Sequence, residues 1–140
     1  MAEAFLLDTD IISELWRGRP DPQVVAFVAA LETYEVSALV IHELAYGVER
    51  APAESRSRLR IFMSAWRARI EETIVPVDAG IAETAGHLRA RAQDQGRVLH
   101  SEDAIIAATA LARGATLVTR NVRDFEGLGL RLVNPFTTER

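Results

Sequence analysis

Apolar residues along this chain follow two rhythms. Short apolar-rich runs occur at Ala4–Asp8 (AFLLD), unbroken through Leu7 and closed by a carboxylate, and at Ala115–Thr119 (ATLVT). Runs of that length, bounded by polar or turn residues, read as strands buried on both faces. Tyr34–Ser37, Thr73–Val77 and Leu130–Val133 are weaker versions, and Pro76 assigns Thr73–Val77 to a sheet edge or a strand end. Between these runs the apolar spacing becomes helical. Ile11, Ile12 and Leu15 follow a cap at Thr9 or Asp10. Val24, Val25, Phe27, Val28 and Leu31 follow the break at Pro20 and Pro22. Ser37 caps a helix through Val48, which Pro52 closes, and Ala53–Ile70 is a long helical stretch. Asp78 caps a helix carrying Ile81, Ala85 and Leu88, stopped by Gly96; Ser101 caps a last one through Ala112, ended by Gly114. Strands alternating with helices over short connections predict a three-layer α/β/α fold around a mainly parallel sheet of four to five strands. No repeat, linker or low-complexity segment interrupts the pattern, so residues 1–140 read as one domain with a loose tail from Phe136.

Composition narrows the class. Hydrophobic residues make up 49% of the chain and aromatics 6%, so the core is aliphatic, which suits α/β packing. The chain has no cysteine, which excludes disulfides and thiolate metal sites and fits a reducing compartment. The first residues, MAEAFLLDTD, lack the basic region of a signal peptide. No apolar stretch approaches the roughly 20 residues that span a bilayer. A soluble, cytoplasmic protein with no membrane partner is expected. The formal net charge is −4, so a polyanionic substrate has to be met locally, by metal ions or a basic patch. All 16 basic residues are arginine, which removes any chemistry that needs a lysine.

Against that background the carboxylates stand out. In open α/β sheets ligands gather at the carboxyl ends of the strands, and Asp8 ends the first strand. Glu43 lies about a turn and a half into the helix after the second, and Asp103 sits in the first turn of the helix at Ser101. Thr119 and Asn121 follow the fourth strand, with Asp124 three residues on. Carboxylates converging on one pocket repel one another unless a hard divalent cation joins them, and such a cation can activate water and stabilise charge on a phosphoryl group. Each residue alone has a plainer reading. Asp8 can cap a helix, Glu43 can face solvent, Glu102 and Asp103 can complement a helix dipole, and Thr119–Asn121 can form a turn. Their joint placement after successive strands favours a site.

The segments LLDTDIISEL (Leu6–Leu15), SALVIHELAYGVER (Ser37–Arg50), SEDAIIAATAL (Ser101–Leu111), LVTRNVRDF (Leu117–Phe125) and LVNPF (Leu132–Phe136) resemble the successive motifs of PIN-domain toxins of the VapC/FitB type. The resemblance runs through essentially the whole chain in order. It implies a PIN-like fold and an endoribonuclease in which Asp8, Glu43 and Asp103 bind one or two Mg²⁺ or Mn²⁺ ions. The family's fourth acidic position is Asn121 here, which can ligate through its oxygen but adds no charge; Asp124 could compensate, although its spacing suits packing or capping ahead of Phe125. DTD replaces the commoner DTN, so Asp10 adds a carboxylate. Asp10 and Asn121 are expected as auxiliary ligands, with Thr119 supporting them. The resemblance also implies a homodimer, a VapB-like antitoxin, an RNA substrate, and DNA contact only through the antitoxin.

Other features carry less. Arg56, Arg58, Arg60, Arg67 and Arg69 crowd one helix, either as a solvated face paired with Glu54, Glu71 and Glu72 or as an RNA rim. His42–Glu43 opens an HExxH, but Tyr46 ends it, and Gly127 and Gly129 form no phosphate loop. Trp16, Phe27, Phe62 and Trp66 are expected in the core or at a protein interface, with Trp16 and Trp66 the sharper candidates for an interface. An aspartyl-phosphate phosphatase would use Asp8-Thr9-Asp10 but needs a lysine. A non-catalytic acidic pocket that docks a basic segment is the rival from another class.

Overall fold

The protein is described by a computed structural model over residues 3–136. The strands β1 (Phe5–Leu7), β2 (Val36–Ser37), β3 (Ile74–Val75), β4 (Thr116–Val118) and β5 (Leu132–Val133) pair only in parallel among the described residues. β1, β4 and β5 form one ladder and β2 and β3 another. A parallel bridge between Leu6 and Glu35 joins them, with Leu7 N–H donating to the Glu35 carbonyl at 3.0 Å and Glu35 N–H to that of Phe5 at 2.9 Å. The order is therefore β3-β2-β1-β4-β5.

Leu6 and Leu7 point to opposite faces of β1, as do Leu117 and Val118 on β4, and all four are fully buried. Helices therefore cover both faces, which is why these strands read as continuous apolar runs rather than alternating ones. Each such side chain removed from water contributes roughly 1.5–3 kcal/mol to burial.

The ends of several elements differ from the sequence expectation. The strand expected over Thr73–Val77 is only Ile74–Val75, because Pro76 has no N–H to extend a ladder. Leu130 stays outside β5, since Gly129 at φ +81° is still turning the chain. Helix α1 (Thr9–Leu15) is capped by Asp8, whose Oδ1 accepts from Thr9 N–H at 2.8 Å, and not by Thr9 or Asp10. Helix α6 (Ser101–Arg113) begins one residue early, so His100 holds the cap position and Ser101 is already helical. The first turn is instead complemented by Glu102 and Asp103. Ser37 and Asp78 cap α3 (Ala38–Arg50) and α5 (Ala79–Asp94) as expected, and Gly114 at φ +62° ends α6.

Trp66, on α4 (Ala53–Arg69), belongs to the core and not to an interface. It is 2% exposed, packs edge-to-face on Trp16 at 5.5 Å, and donates its indole N–H to the Tyr34 hydroxyl at 2.9 Å. Phe27, on α2 (Pro22–Ala29), meets Phe5 in the same way at 5.9 Å. Phe136, expected at the start of a loose tail, is buried; the remainder of that tail lies outside the described residues. No helix among the described residues is long and apolar enough to cross a membrane.

Candidate active site

From β1 the chain moves outward through β2 to β3, then returns to place β4 on the other side of β1. The carboxyl ends of β1 and β4 therefore flank the point where strand order reverses, the place in such sheets where a crevice opens. Asp8 is the first residue after β1 and Thr119 the first after β4.

A cleft of about 590 Å³ opens there, lined by Asp8, Asp10, Glu43, Asp103 and Asn121, all expected from the sequence. Thr119 lies beneath it, fully buried. Its hydroxyl donates to Asp8 Oδ2 at 2.9 Å and accepts from Asn121 N–H at 3.1 Å. Asp8 is therefore held at both oxygens, Oδ1 by the cap bond and Oδ2 by Thr119. The plain capping role and the site role coexist in one side chain. Across the cleft the Thr9 hydroxyl donates to Glu43 Oε1, tying α1 to α3. Asp10 Oδ2 accepts from the Arg120 N–H at 3.1 Å and from Asn121 Nδ2 at 3.2 Å, while its Oδ1 is buried without a partner. Asn121 thus acts here as a donor to a carboxylate.

The electrostatics follow from this crowding. Burial raises Asp8 above the ordinary carboxylate range, and the charges of Glu43 and Asp124 add to it; the Thr119 and Thr9 hydrogen bonds oppose the rise. Asp10 is pushed up to about 7 by burial and by Asp8, against the Arg120 charge. Asp103 rises to about 6 through burial, then Asp8, Asp124 and Glu43, with His100 opposing. Asp124 does not line the cleft, yet its charge adds to the rise of both Asp8 and Asp103.

The donor set is all oxygen, which suits a hard cation of the magnesium or manganese type. The orphaned Asp10 oxygen and the mutual repulsion of Asp8, Glu43 and Asp103 are what a bound cation would relieve. Among the described residues no three acidic or imidazole side chains already stand as a ready ligand set. Glu43 is engaged by Thr9 and Asp8 by Thr119 and the Thr9 N–H, so the cleft gathers the donors without pre-closing them on an ion.

Sequence reasoning passed over Glu14, Arg17 and Arg120, which also line the cleft. Glu14 is buried and accepts from Asp21 N–H at 2.8 Å. A signal for it existed: Asp10, Ser13, Glu14 and Arg17 recur at i, i+3, i+4 and i+7, a polar stripe opposite the apolar face of α1. The arginine-rich α4 is not part of the cleft lining; Arg67 pairs with Glu71, as the solvated-face reading expects, whereas Arg60 pairs with Glu49 of α3, and among the described residues neither Glu54 nor Glu72 joins an ion pair.

Comparison with known proteins agrees with this geometry. The chain is 35% identical over 141 residues to the VapC ribonuclease Y4jK of Sinorhizobium fredii, covering 94% of this chain and 96% of that protein. The solved structure of FitAB bound to an IR36 DNA fragment superimposes with a TM-score of 0.86 at 29% identity, over 97% of this chain and 98% of that one. A toxin–antitoxin complex from Klebsiella pneumoniae matches with a TM-score of 0.72 at 27% identity, over 96% of this chain and 100% of that one. The PIN domain family model matches residues 5–129, from the first residue of β1 to the turn before β5. With its carboxylates gathered at the switch point of a parallel sheet, this chain belongs to the PIN domain family.

Proposed function

We propose that this chain is a divalent-metal-dependent endoribonuclease acting as the toxin of a type II toxin–antitoxin pair, with residues 1–140 working as one domain in the cytoplasm. The observation that supports it most is the convergence of Asp8, Glu43 and Asp103 on one cleft, where burial first and neighbouring carboxylates second hold Asp8 and Asp103 above the usual carboxylate range. Asp8, Glu43 and Asp103 would hold Mg²⁺ or Mn²⁺, with Asp10 and Asn121 as auxiliary ligands, Asp124 adding charge from outside the lining, and Thr119 orienting Asp8. The cation, when bound, supplies an activated water and offsets charge on the phosphoryl group. The chain's own part is to orient the donors, through Thr119 on Asp8 and Thr9 on Glu43.

Identity to a VapC ribonuclease supports RNA as the substrate, and likeness to the DNA-bound FitAB and the Klebsiella toxin–antitoxin complex supports an antitoxin partner; a homodimer, with DNA contacted through the antitoxin alone, completes the proposal.

The test is cleavage of RNA by purified protein with Mg²⁺ or Mn²⁺ and with chelator. Cleavage should require the metal, and Asp8→Asn or Asp103→Asn should reduce it more than a hundredfold. That exceeds the roughly ten- to hundredfold typical of losing an outer partner of a metal site. Metal-independent cleavage, or variants as active as the wild type, would remove the catalytic assignment and leave an acidic docking pocket.

A further inference from the structure

We propose that Arg120 receives a backbone phosphate of the RNA at the acidic cleft, a proposal that rests on the ribonuclease reading above. A cleft lined by Asp8, Asp10, Glu43 and Asp103 repels a polyanion, and cations at the carboxylates act on the phosphate being cut, not on its neighbours. Flanking phosphates need positive charge from the chain itself. Among the described residues that line the cleft, the cationic side chains are Arg17 and Arg120. Helix α4 does not make good the deficit: besides its paired Arg60 and Arg67, Arg56 donates to the Ala51 carbonyl and Arg58 to that of Trp16, and Arg69 lines a separate hollow beside Tyr34 and Trp66.

Arg120 is fixed on three sides. Its N–H donates to Asp10 Oδ2 at 3.1 Å, its carbonyl accepts from Asn134 Nδ2 at 3.5 Å, and its guanidinium lies over the Phe136 ring at 4.4 Å. Phe136 is buried and donates its own N–H to Asn134 Oδ1 at 2.9 Å, so Asn134 ties both ends of the stacked pair. Among the described residues the guanidinium itself donates no hydrogen bond and joins no ion pair. A planar fork with five N–H donors is thus held by stacking and left open, the arrangement that recognises phosphate in two-pronged fashion. Arg120 also lowers Asp10 by its charge, but without an ion pair; Arg17 has no stacking partner among the described residues and lies in ion-pair range of Glu14, at 3.9 Å.

The rival role for Arg120 is a simple counter-charge to Asp10, and the two roles separate in kinetics. Cleavage of a labelled single-stranded RNA gives kcat and KM; fluorescence anisotropy of the same RNA, with Ca²⁺ replacing Mg²⁺ to slow cleavage, gives Kd across a salt series. Arg120→Ala should raise KM and Kd about tenfold with kcat within about threefold, and should flatten log Kd against log salt by about 0.7, the loss of one phosphate contact on a single strand. Arg120→Lys should restore the salt slope but only part of the affinity, because the charge returns without the fork. Phe136→Leu should weaken binding to an intermediate degree, with the salt slope kept. Arg123→Ala, at an exposed arginine outside the cleft lining, should change nothing. The proposal is overturned if Arg120→Ala alters kcat or its pH profile while KM, Kd and slope stay put, or if the wild type binds no RNA. Binding without cleavage would instead fail the ribonuclease reading, with Kd and slope still deciding Arg120.

Discussion

The acidic cleft and the α3–α4 surface are both dense in charge, and the chain treats them in opposite ways. On the surface, opposite charges meet in water: Arg60 and Glu49 pair with both side chains 55% exposed, and Arg67 pairs with Glu71 one helical turn on. Such pairs are screened and individually contribute little. In the cleft, carboxylates are brought together and partly buried, so burial first and neighbouring charge second raise Asp8, Asp10 and Asp103. A cluster that relieves its own charge is ordinary surface. One that stores repulsion is relieved by protonation or by an external cation, and the second is what the proposed function requires of the cleft. The arginine-dense helix is the louder feature of the sequence, but the proposed site is made by the Asp8–Asp10 pair at the start of α1 with Glu43 from α3 and Asp103 from α6.

The contrast sharpens at Thr119, a neutral side chain buried beneath the cleft. Thr119→Val keeps the volume and removes the hydroxyl that donates to Asp8 and accepts from Asn121. Metal-dependent cleavage should fall roughly ten- to hundredfold, as for other outer partners of a metal site. Circular dichroism should show the fold intact; activity equal to the wild type would mean that Asp8 needs no orienting.

A smaller effect comes from pH. Asp10 and Asp103 have folded-state values above their ordinary 3.8, at about 7 and about 6, so the fold favours their protonated forms. Their contribution is fully present below about pH 4 and is lost as pH rises through about 6 and then about 7. In chelator the melting temperature should therefore fall between pH 5 and pH 8, by roughly 4 °C for each kcal/mol lost. Asp10→Asn, which cannot ionise, should flatten the upper part of that fall. A melting temperature that climbs from pH 5 to pH 8 equally in both proteins would contradict the stored repulsion.

The smallest effect belongs to the surface. Arg60→Ala removes a solvent-exposed pair, and both the urea-unfolding midpoint and cleavage should stay at their wild-type values. A loss in either would mean that the two regions differ less than their burial suggests.

Much of this was legible in the sequence because strand ends and helix turns are local properties. Asp8 follows an apolar run, Glu43 and Asp103 sit at fixed distances into helices, and the parallel sheet carries all three to one edge. Asp124 was harder to weigh. Its spacing suggested packing or capping, whereas its charge reaches Asp8 and Asp103 from outside the cleft lining. The Arg120–Phe136 stack had no local signal at all: 16 positions separate the two residues, and only the β4–β5 pairing brings their segments together. Trp66 misled for the opposite reason, since a large aromatic on an arginine-rich helix suggests an interface until its partner Tyr34 is seen beneath it.

Direct titration of Mn²⁺ into the purified protein near pH 7.5, followed by calorimetry, addresses the stored repulsion itself. Mn²⁺ should bind the wild type, and Asp8→Asn and Asp103→Asn should each weaken it more than tenfold while Arg60→Ala leaves it unchanged. No binding by the wild type, or equal binding by all four proteins, would contradict a carboxylate cleft that requires a divalent ion.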